Sequence, residues 1–144
     1  KNWNVSIINF RLPNVYGPRQ RADLEGGVIA IFSEKMKKQN LVEIFGDGKQ
    51  KRDWVHVQDI VRAFEITLKI NFKFEIIALG SKISNSVNDL FRILKELNSF
   101  KMNAKKSAKR DGDIKYMVMD NKKASKKLGW KPKISLIEGL KLLN

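Results

Sequence analysis

The stretch IFGDGKQKRDWVHVQDI, residues 44–60, decides how this chain folds. Two glycines and a single arginine lie between the apolar segments 44–45 and 54–57. A glycine-punctuated turn leaves backbone N–H groups free to meet an anion, and the guanidinium of Arg52 is held close to that turn. The stretch therefore predicts an anion-binding loop between two strands. Spacing alone favours a plainer alternative, in which Arg52 is a surface arginine paired with Asp53.

The composition indicates one globular domain or part of a larger one, since the chain has 144 residues of which 42% are hydrophobic. It contains no cysteine and one histidine. The absence of cysteine excludes disulfides, thiolate metal sites and cysteine nucleophiles. A single histidine makes a histidine metal cluster or a Ser-His-Asp triad implausible. No run of eighteen apolar residues and no charged leader before an apolar stretch occurs. A cytoplasmic protein is the expectation.

The net charge of +14 raises nucleic-acid binding as an alternative. Most of the excess is lysine, and it concentrates in two groups, at 101–109 and 122–127. No aromatic residues that could stack on bases interleave with these groups. A solvated, lysine-rich surface is therefore favoured over a nucleic-acid-binding protein.

The apolar pattern along the chain alternates between strand and helix periods, which indicates an α/β fold. The first strand is expected to be buried on both faces, as in a parallel sheet. Asp59, Ser86 and Ser135 are expected to cap helices. Strands are predicted at 5–10, 41–45, 54–57 and 74–79, and helices after 27, after 59 with a stripe of Ile60, Ala63, Phe64 and Leu68, after 86, at 121–128 and after 135.

Two further motifs accompany the central stretch. Residues 11–20 read RLPNVYGPRQ, and residues 110–113 read RDGD. Together with the Gly-Asp-Gly, Gln and Arg-Asp-aromatic pattern of residues 46–54, they resemble the substrate half of the extended short-chain dehydrogenase/reductases, the sugar-nucleotide epimerase and dehydratase family. Within that family the motifs resemble the UDP-glucose 4-epimerase branch most. Other dehydratases and decarboxylases of the family are the alternative.

The resemblance implies an architecture and a domain division. Residues 1–20 correspond to the end of a Rossmann-type parallel sheet and the substrate loop. Residues 21–144 correspond to the substrate-binding α/β domain, with segments that return to the sheet.

The resemblance also implies roles at the diphosphate and the sugar. Arg52 and Arg110 would hold the diphosphate of a UDP-sugar, and Asn14 and Asp113 would position the nucleotide-sugar. Without the resemblance, Asn14 reads equally well as a turn residue and the segment 110–113 as a charged turn.

The family's uracil lies between a helix start and a strand. These positions fall here on Gly27 and Val28 and on Glu43 and Phe45, although the glycine pair 26–27 would also serve as a helix cap. A position that gates the size of the sugar's 2-substituent falls on Met117.

The family's cofactor is NAD, and the two residues before the asparagine lie beside its nicotinamide. Here they are Leu12 and Pro13, and Pro13 replaces an aromatic residue common in the family. The resemblance gives His56 no catalytic role, and a hydrogen-bonded structural histidine is expected.

The family also needs a glycine-rich phosphate loop and a Tyr-x-x-x-Lys base, and this sequence has neither. Tyr16 and Tyr116 are followed four residues later by Gln20 and Asp120. The chain is therefore expected to be inactive alone and to work with an N-terminal cofactor-binding half, in a parent that is a homodimer. A non-catalytic nucleotide-sugar-binding module and a basic nucleic-acid-binding domain remain open.

Overall fold

The computed structural model describes residues 5–24 and 27–143. In these residues the strands are β1 Ile7–Arg11, β2 Asn14–Tyr16, β3 Glu43–Phe45, β4 Lys51–Arg52, β5 Trp54–His56, β6 Phe74–Ala78, β7 Asn85–Ser86, β8 Lys105–Ser107 and β9 Tyr116–Met117. The helices are α1 Val28–Lys37, α2 Val57–Thr67, α3 Val87–Leu97, α4 Lys122–Leu128 and α5 Leu136–Lys141. The α/β class predicted from the sequence is confirmed.

Strands distant in sequence pair in parallel, which is what helical crossovers between strands produce. β1 pairs with β6, β2 with β5 and β3 with β8, all in parallel. β4 lies between β7, which is antiparallel to it, and β9, which is parallel. The sheet segments are thus short, and residues of the 44–60 stretch contribute a strand to three of the four.

β5 separates two hydrophobic cores, because successive side chains of a strand point to opposite faces. Trp54 belongs to a core with α1, α3 and β3, and the adjacent Val55 belongs to a core with α2, β6 and α4. Both side chains are buried, with 6% and 1% of their surface exposed. Three residues of β5 therefore join the two halves of the described structure.

Asp53 is a fully buried carboxylate at the start of β5. It accepts hydrogen bonds from Ser81 N at 3.1 and 3.0 Å, from Ser81 Oγ at 2.5 Å and from Met119 N at 3.1 Å. These bonds satisfy a group whose burial would otherwise be costly. They hold β5 against the loop after β6 and the segment before α4. Asp53 is therefore unavailable to Arg52, and the predicted Arg52–Asp53 surface pair is wrong.

Asp59 fastens the C-terminal segment to α2. Its carboxylate accepts from Lys133 N and Ile134 N at 3.0 Å, and its carbonyl accepts from Trp130 Nε1 at 2.8 Å. The sequence assigned Asp59 to helix capping, and that prediction is wrong. The N-cap of α2 is His56, whose Nδ1 accepts from Gln58 N at 3.3 Å. His56 is thus a hydrogen-bonded structural residue, as expected.

The predicted capping boxes at Ser86 with Asp89 and at Ser135 with Glu138 are both confirmed. The helix predicted at 121–128 also ends at residue 128, and its C-cap Gly129 has a positive φ of 62°. These signals act between residues close in sequence, so they can be read locally.

Two segments are less buried in the described residues than the sequence pattern predicted. β1 begins at Ile7 and shows alternating burial, and Ile7 is 50% exposed, whereas a strand buried on both faces was expected. On α2, Ile60 and Ala63 are buried, but Phe64 and Leu68 are 49% and 88% exposed. In the described residues β1 pairs with β6 alone, so one face of this pair is covered by the second core and the other is open to solvent.

Among the helices of residues 5–24 and 27–143, none is long and apolar enough to cross a membrane.

Replacing Asp53 with alanine would leave the two buried backbone donors, Ser81 N and Met119 N, without an acceptor. We expect the free energy of unfolding to fall by about 3 kcal/mol or more, because each unsatisfied buried donor costs about 1–3 kcal/mol. Denaturant titration of Asp53→Ala measures this. Asp111→Ala, which removes an exposed aspartate, is the matched control and should change stability little. Equal stability of the two variants would contradict the anchoring role.

The single histidine gives a clean pH prediction. Burial lowers the pKa of His56 from its ordinary value, and the neighbouring Asp59 opposes this shift more weakly. The unfolded chain takes up a proton as the pH falls through about 6.5, and the folded chain does so only at lower pH. The contribution of neutral His56 to the free energy of unfolding is therefore complete at high pH. It should decrease as the pH falls from about 7 to about 5.

Urea unfolding at several pH values tests this prediction. His56→Asn retains a side chain suited to an N-cap but does not titrate, so it should flatten the profile in this window. The pKa values of carboxyl groups such as Glu75 and Asp89 are lowered, by Lys123 and by Ser86 respectively, which moves their titration away from this window. An unchanged slope in His56→Asn would contradict the assignment.

Candidate functional site

A cavity of about 360 Å³ lies between α1, β3, the 46–52 loop and the 110–113 segment. It has an apolar wall from α1 and β3 and a polar end formed by charged and amide side chains. Its lining residues are Asn14, Val28, Ile31, Phe32, Lys35, Glu43, Ile44, Phe45, Gln50, Arg52, Val87, Arg110 and Asp113. Of the residues singled out from the sequence, Asn14, Val28, Glu43, Phe45, Arg52, Arg110 and Asp113 therefore meet at one place.

The turn at residues 46–48 is fixed by the start of α3. Gly46 and Gly48 have φ values of 68° and 73°, a region that favours glycine. A Cβ on Gly48 would lie 2.2 Å from Asn88 Oδ1, and Asn88 Nδ2 donates to the carbonyl of Asp47 at 2.9 Å. The turn is thereby held at the N-terminal end of α3, which places Gln50 and Arg52 at the cavity.

Arg52 and Asp113 form a partly buried ion pair at the polar end of the cavity. Arg52 Nη2 lies 2.5 Å from Asp113 Oδ1, and the two side chains are 15% and 21% exposed. Arg52 Nη1 also donates to the carbonyls of Ile114 at 2.5 Å and Lys51 at 2.9 Å. The guanidinium is therefore oriented by three acceptors, and β4 and β9 keep it in register with Met117.

Arg110 covers one face of an aromatic ring. Its guanidinium carbon lies 3.8 Å from the centre of the Phe45 ring, which is a cation–π contact. On the same strand, Glu43 lies 3.4 Å from Lys105 Nζ, across the parallel β3–β8 pair. β3 thus presents an aromatic ring and a carboxylate to the cavity.

Four residues singled out from the sequence do not line this cavity. Gly27 is the N-cap of α1, and its side of the helix faces Gln20. Met117 lies on β9 beside Arg52. Leu12, which is exposed, and Pro13, which is buried, connect β1 to β2. Gly26, the other half of the predicted glycine pair, lies outside the described residues.

The sequence-based reasoning missed several lining residues. Ile31 and Lys35 lie one turn apart on α1, so helical periodicity beginning from Val28 would have found them. Gln50 belongs to the central motif, and its Nε2 donates to the carbonyl of Phe45 at 3.1 Å. Val87 follows the capping residue Ser86, and nothing in the sequence marked it as a lining residue of the cavity.

A second cavity of about 520 Å³ adjoins the first and shares Phe45, Gln50 and Asp113 with it. Three exposed lysines line it, Lys49, Lys109 and Lys115. Exposed cations around a cleft raise the local concentration of anionic ligands. The positive charge of the chain is therefore partly concentrated at the entrance of the candidate site.

The two tyrosines lie away from the cavity. Tyr16 is 2% exposed, contacts His56 edge-on and donates to the carbonyl of Leu136 at 3.3 Å. Burial, with smaller contributions from Asp59 and Glu138, raises the pKa of its phenol far above the ordinary value. Tyr116 is 63% exposed on β9. The environment of Tyr16 therefore disfavours a phenolate base near neutral pH.

No group of three or more histidine, cysteine, aspartate or glutamate side chains suited to a metal ion occurs among the residues that the structure describes. The polar groups of the cavity are two carboxylates, two amides and three cations, which suits an anionic organic ligand with hydroxyl groups.

The parallel strand pairs and the helical crossovers define a Rossmann-type α/β protein, and the cavity beside them is its candidate ligand site. Residues 1–143 match the family model of GDP-mannose 4,6 dehydratase. The chain belongs to this family of extended short-chain dehydrogenase/reductases, the sugar-nucleotide epimerases and dehydratases.

Proteins similar to the chain include epimerases from archaea and bacteria. A provisionally assigned UDP-glucose 4-epimerase of Methanocaldococcus jannaschii is 45% identical, over 96% of this chain and 45% of the relative. The crystal structure of UDP-glucose 4-epimerase with UDP-glucose from Thermotoga maritima has a TM-score of 0.92 and 42% identity, over 96% of this chain and 44% of that one.

The UDP-glucose 4-epimerase of Thermus thermophilus, solved as a complex with NAD, has a TM-score of 0.86 and 29% identity, over 96% of this chain and 45% of that one. The chain thus spans less than half the length of the relatives it matches.

A double-mutant cycle on Arg52 and Asp113 tests whether the pair organises the polar end of the cavity. The side chains are mostly buried, so we expect a coupling energy of about 1.5–3 kcal/mol in the free energy of unfolding. Arg21 and Asp23 also lie 2.5 Å apart but are 65% and 61% exposed, and they form the control pair. Solvent should reduce their coupling to near the limit of measurement. Similar coupling in both pairs would contradict this account.

Proposed function

We propose that the chain is the nucleotide-sugar-binding part of an NAD-dependent UDP-glucose 4-epimerase-like enzyme. The observation that carries the proposal is the single cavity in which Arg52, Arg110, Asp113, Asn14 and Phe45 meet. Its apolar wall suits a base, and its charged end suits a diphosphate with hydroxyl-bearing sugars.

Arg52 is the group that we assign to the diphosphate. Its guanidinium is oriented by Asp113 and by two carbonyls, so little side-chain entropy remains to be lost when phosphate oxygens bind. Arg110, held over Phe45, adds a second cation at the same cavity. Arginine suits this task because its planar donors match phosphate oxygens in pairs.

Asp113 and Asn14 are assigned to hydroxyl groups. Arg52 contacts Oδ1 of Asp113, which leaves Oδ2 as an acceptor for a ribose hydroxyl. Asn14 begins β2, which is parallel to β5, and its amide can donate and accept at the sugar. Gly27 and Val28 at the start of α1, with Glu43 and Phe45, are proposed to flank the uracil, and Met117 to gate the sugar's 2-substituent.

NAD would meet this chain at Leu12 and Pro13. Leu12 is 43% exposed just past the carboxyl end of β1, where ligands bind in parallel sheets, and its apolar side chain suits the flank of a nicotinamide ring. Pro13 has no N–H and therefore cannot donate a backbone hydrogen bond to the cofactor. When bound, the cofactor accepts a hydride from the sugar and returns it. The residues described here fit one side of such a site.

An N-terminal cofactor-binding half is the proposed partner of this chain. Its support is the uncovered face of the β1–β6 pair, where Ile7, Phe74 and Ile76 are 50%, 60% and 36% exposed. Parallel sheets in α/β proteins are covered on both faces. The same half would supply the catalytic tyrosine and lysine, since Tyr16 is buried and Tyr116 lies outside the cavity. A homodimeric parent and a cytoplasmic location remain predictions.

Calorimetric titration of the chain with UDP, UDP-glucose and UDP-N-acetylglucosamine tests the proposal. We expect saturable binding of all three, and Arg52→Ala should weaken it about 10- to 100-fold because charge-assisted bonds to phosphate are lost. Arg92→Ala is the matched control, since Arg92 is an exposed arginine on α3 outside the cavity. It should bind as tightly as the unmodified chain.

The sugar preference in this series narrows which nucleotide-sugar the parent enzyme uses. A DNA oligomer, titrated at low and moderate salt, tests the basic-domain alternative, which requires tight binding with a steep salt dependence. Absence of UDP binding, or equal losses in Arg52→Ala and Arg92→Ala, would overturn the proposal.

A further inference from the structure

Lys35 is a half-buried lysine at the apolar part of the candidate site. It lies on α1 one turn beyond Ile31, so the two residues share a helix face, and both line the cavity. Lysine side chains are rarely buried without a partner. In the part of the chain that the structure describes, no carboxylate oxygen lies within 4.0 Å of Lys35 Nζ.

The position of Lys35 in the last turn of α1 also suits the negative end of the helix dipole. That role requires no cavity, and Lys37, which shares it, is exposed and donates to the carbonyl of Leu143 at 2.6 Å. Lys35 differs from Lys37 in lining the cavity along with Phe45 and Glu43. The helix dipole therefore does not explain where Lys35 lies.

Glu43 provides the complementary group. It lies on β3, lines the same cavity and contacts Lys105 through Oε1 at 3.4 Å, which leaves Oε2 available as an acceptor. Among the described residues, the cavity thus holds a donor without an ion-pair partner and a carboxylate with a free oxygen beside an apolar wall. A ligand that fills it must present an acceptor and a donor on one edge.

The edge of a uracil ring opposite its ribose has this pattern. O4 is an acceptor and N3–H a donor, and both point away from N1, where the ribose is attached. With the diphosphate at Arg52 and the ribose at Asp113, this edge is directed toward the far part of the cavity. Cytosine has the same size but the reverse pattern, with an amino donor at C4 and an acceptor at N3.

We propose that Lys35 and Glu43 select the base of the nucleotide, with Lys35 donating to O4 of uracil and Glu43 accepting from N3–H. This inference rests on the proposed function and adds the residues that distinguish uridine from cytidine nucleotides. The same pair would accept thymidine nucleotides, because a 5-methyl group leaves this edge unchanged. A site built to pair polar groups rejects a ligand that leaves them unpaired.

Calorimetric titration of the chain with UDP and CDP tests the proposal, because the two ligands share ribose and diphosphate. We expect the unmodified chain to bind UDP at least tenfold more tightly than CDP. Lys35→Met keeps the length and apolar stem of the side chain but loses the donor. It should weaken UDP binding about tenfold, leave CDP binding nearly unchanged and so lower the ratio of the two affinities about tenfold.

Two variants serve as controls. Lys35→Arg retains a cationic donor and should keep the preference for UDP, which separates loss of the donor from disturbance of α1. Lys126→Met removes one positive charge from the exposed side of α4 and controls for net charge. It should leave both affinities unchanged, and dTDP should follow UDP in every variant.

Each outcome decides one claim. A preference for UDP that is undiminished in Lys35→Met, or equal binding of UDP and CDP by the unmodified chain, overturns the role of Lys35 and leaves the proposed function standing. Absence of binding to any of these nucleotides overturns the proposed function and, with it, this inference. A loss of preference in Lys35→Met that Lys35→Arg restores supports the inference.

Discussion

The buried carboxylate of Asp53 is the constraint on which the candidate site depends. It holds the start of β5 against two segments that follow much later in the sequence, through Ser81 and Met119. Its neighbour Arg52 faces the cavity, because successive residues of an extended chain point to opposite sides. One side of this short segment thus anchors the fold, and the other carries the guanidinium. Any shift that weakened the anchor would also displace the arginine.

The residues that follow Asp53 also connect distant parts of the structure. Trp54 and Val55 each contribute to a different core, and Asp59 fastens the segment after α4 to the start of α2. Residues 53–59 therefore connect the two hydrophobic cores and the segment after α4. The strands themselves are short, and each sheet has two or three strands. Hydrogen bonds to the buried carboxylates of Asp53 and Asp59 connect segments that are distant in sequence. In larger sheets, backbone hydrogen bonds between long strands make such connections.

Local signals in the sequence predicted what local interactions determine. The capping boxes at Ser86 and Ser135 and the glycine turn at 46–48 involve residues a few positions apart, so the pattern is sufficient. The two-residue strands β4, β7 and β9 were missed, because they exist only where distant segments pair. The cap of α2 was misassigned for a related reason. Asp59 has the residue type of a cap, but distant backbone donors already engage its carboxylate.

The candidate site likewise contains residues that the sequence predicted and residues that it did not. Arg52, Asn14 and Asp113 could be singled out from motifs, and the fold brings them to one cavity. The partner of Arg52 could not be predicted, because Asp53 is adjacent in sequence and Asp113 is its neighbour in space. Lys35 carried no motif and resembles the many surface lysines of a chain with a net charge of +14. Only its position on the cavity wall distinguishes it.

The charge balance of the cavity explains why it suits an anion despite containing two carboxylates. Asp113 is engaged with Arg52, and Glu43 is engaged with Lys105, a residue outside the lining. Lys35 and Arg110 are then the cations left without an ion-pair partner among the described residues, and three further lysines line the adjoining cavity. A diphosphate entering this field is attracted by the uncompensated cations. In the proposed function its final position would be set by Arg52, which Asp113 holds in place.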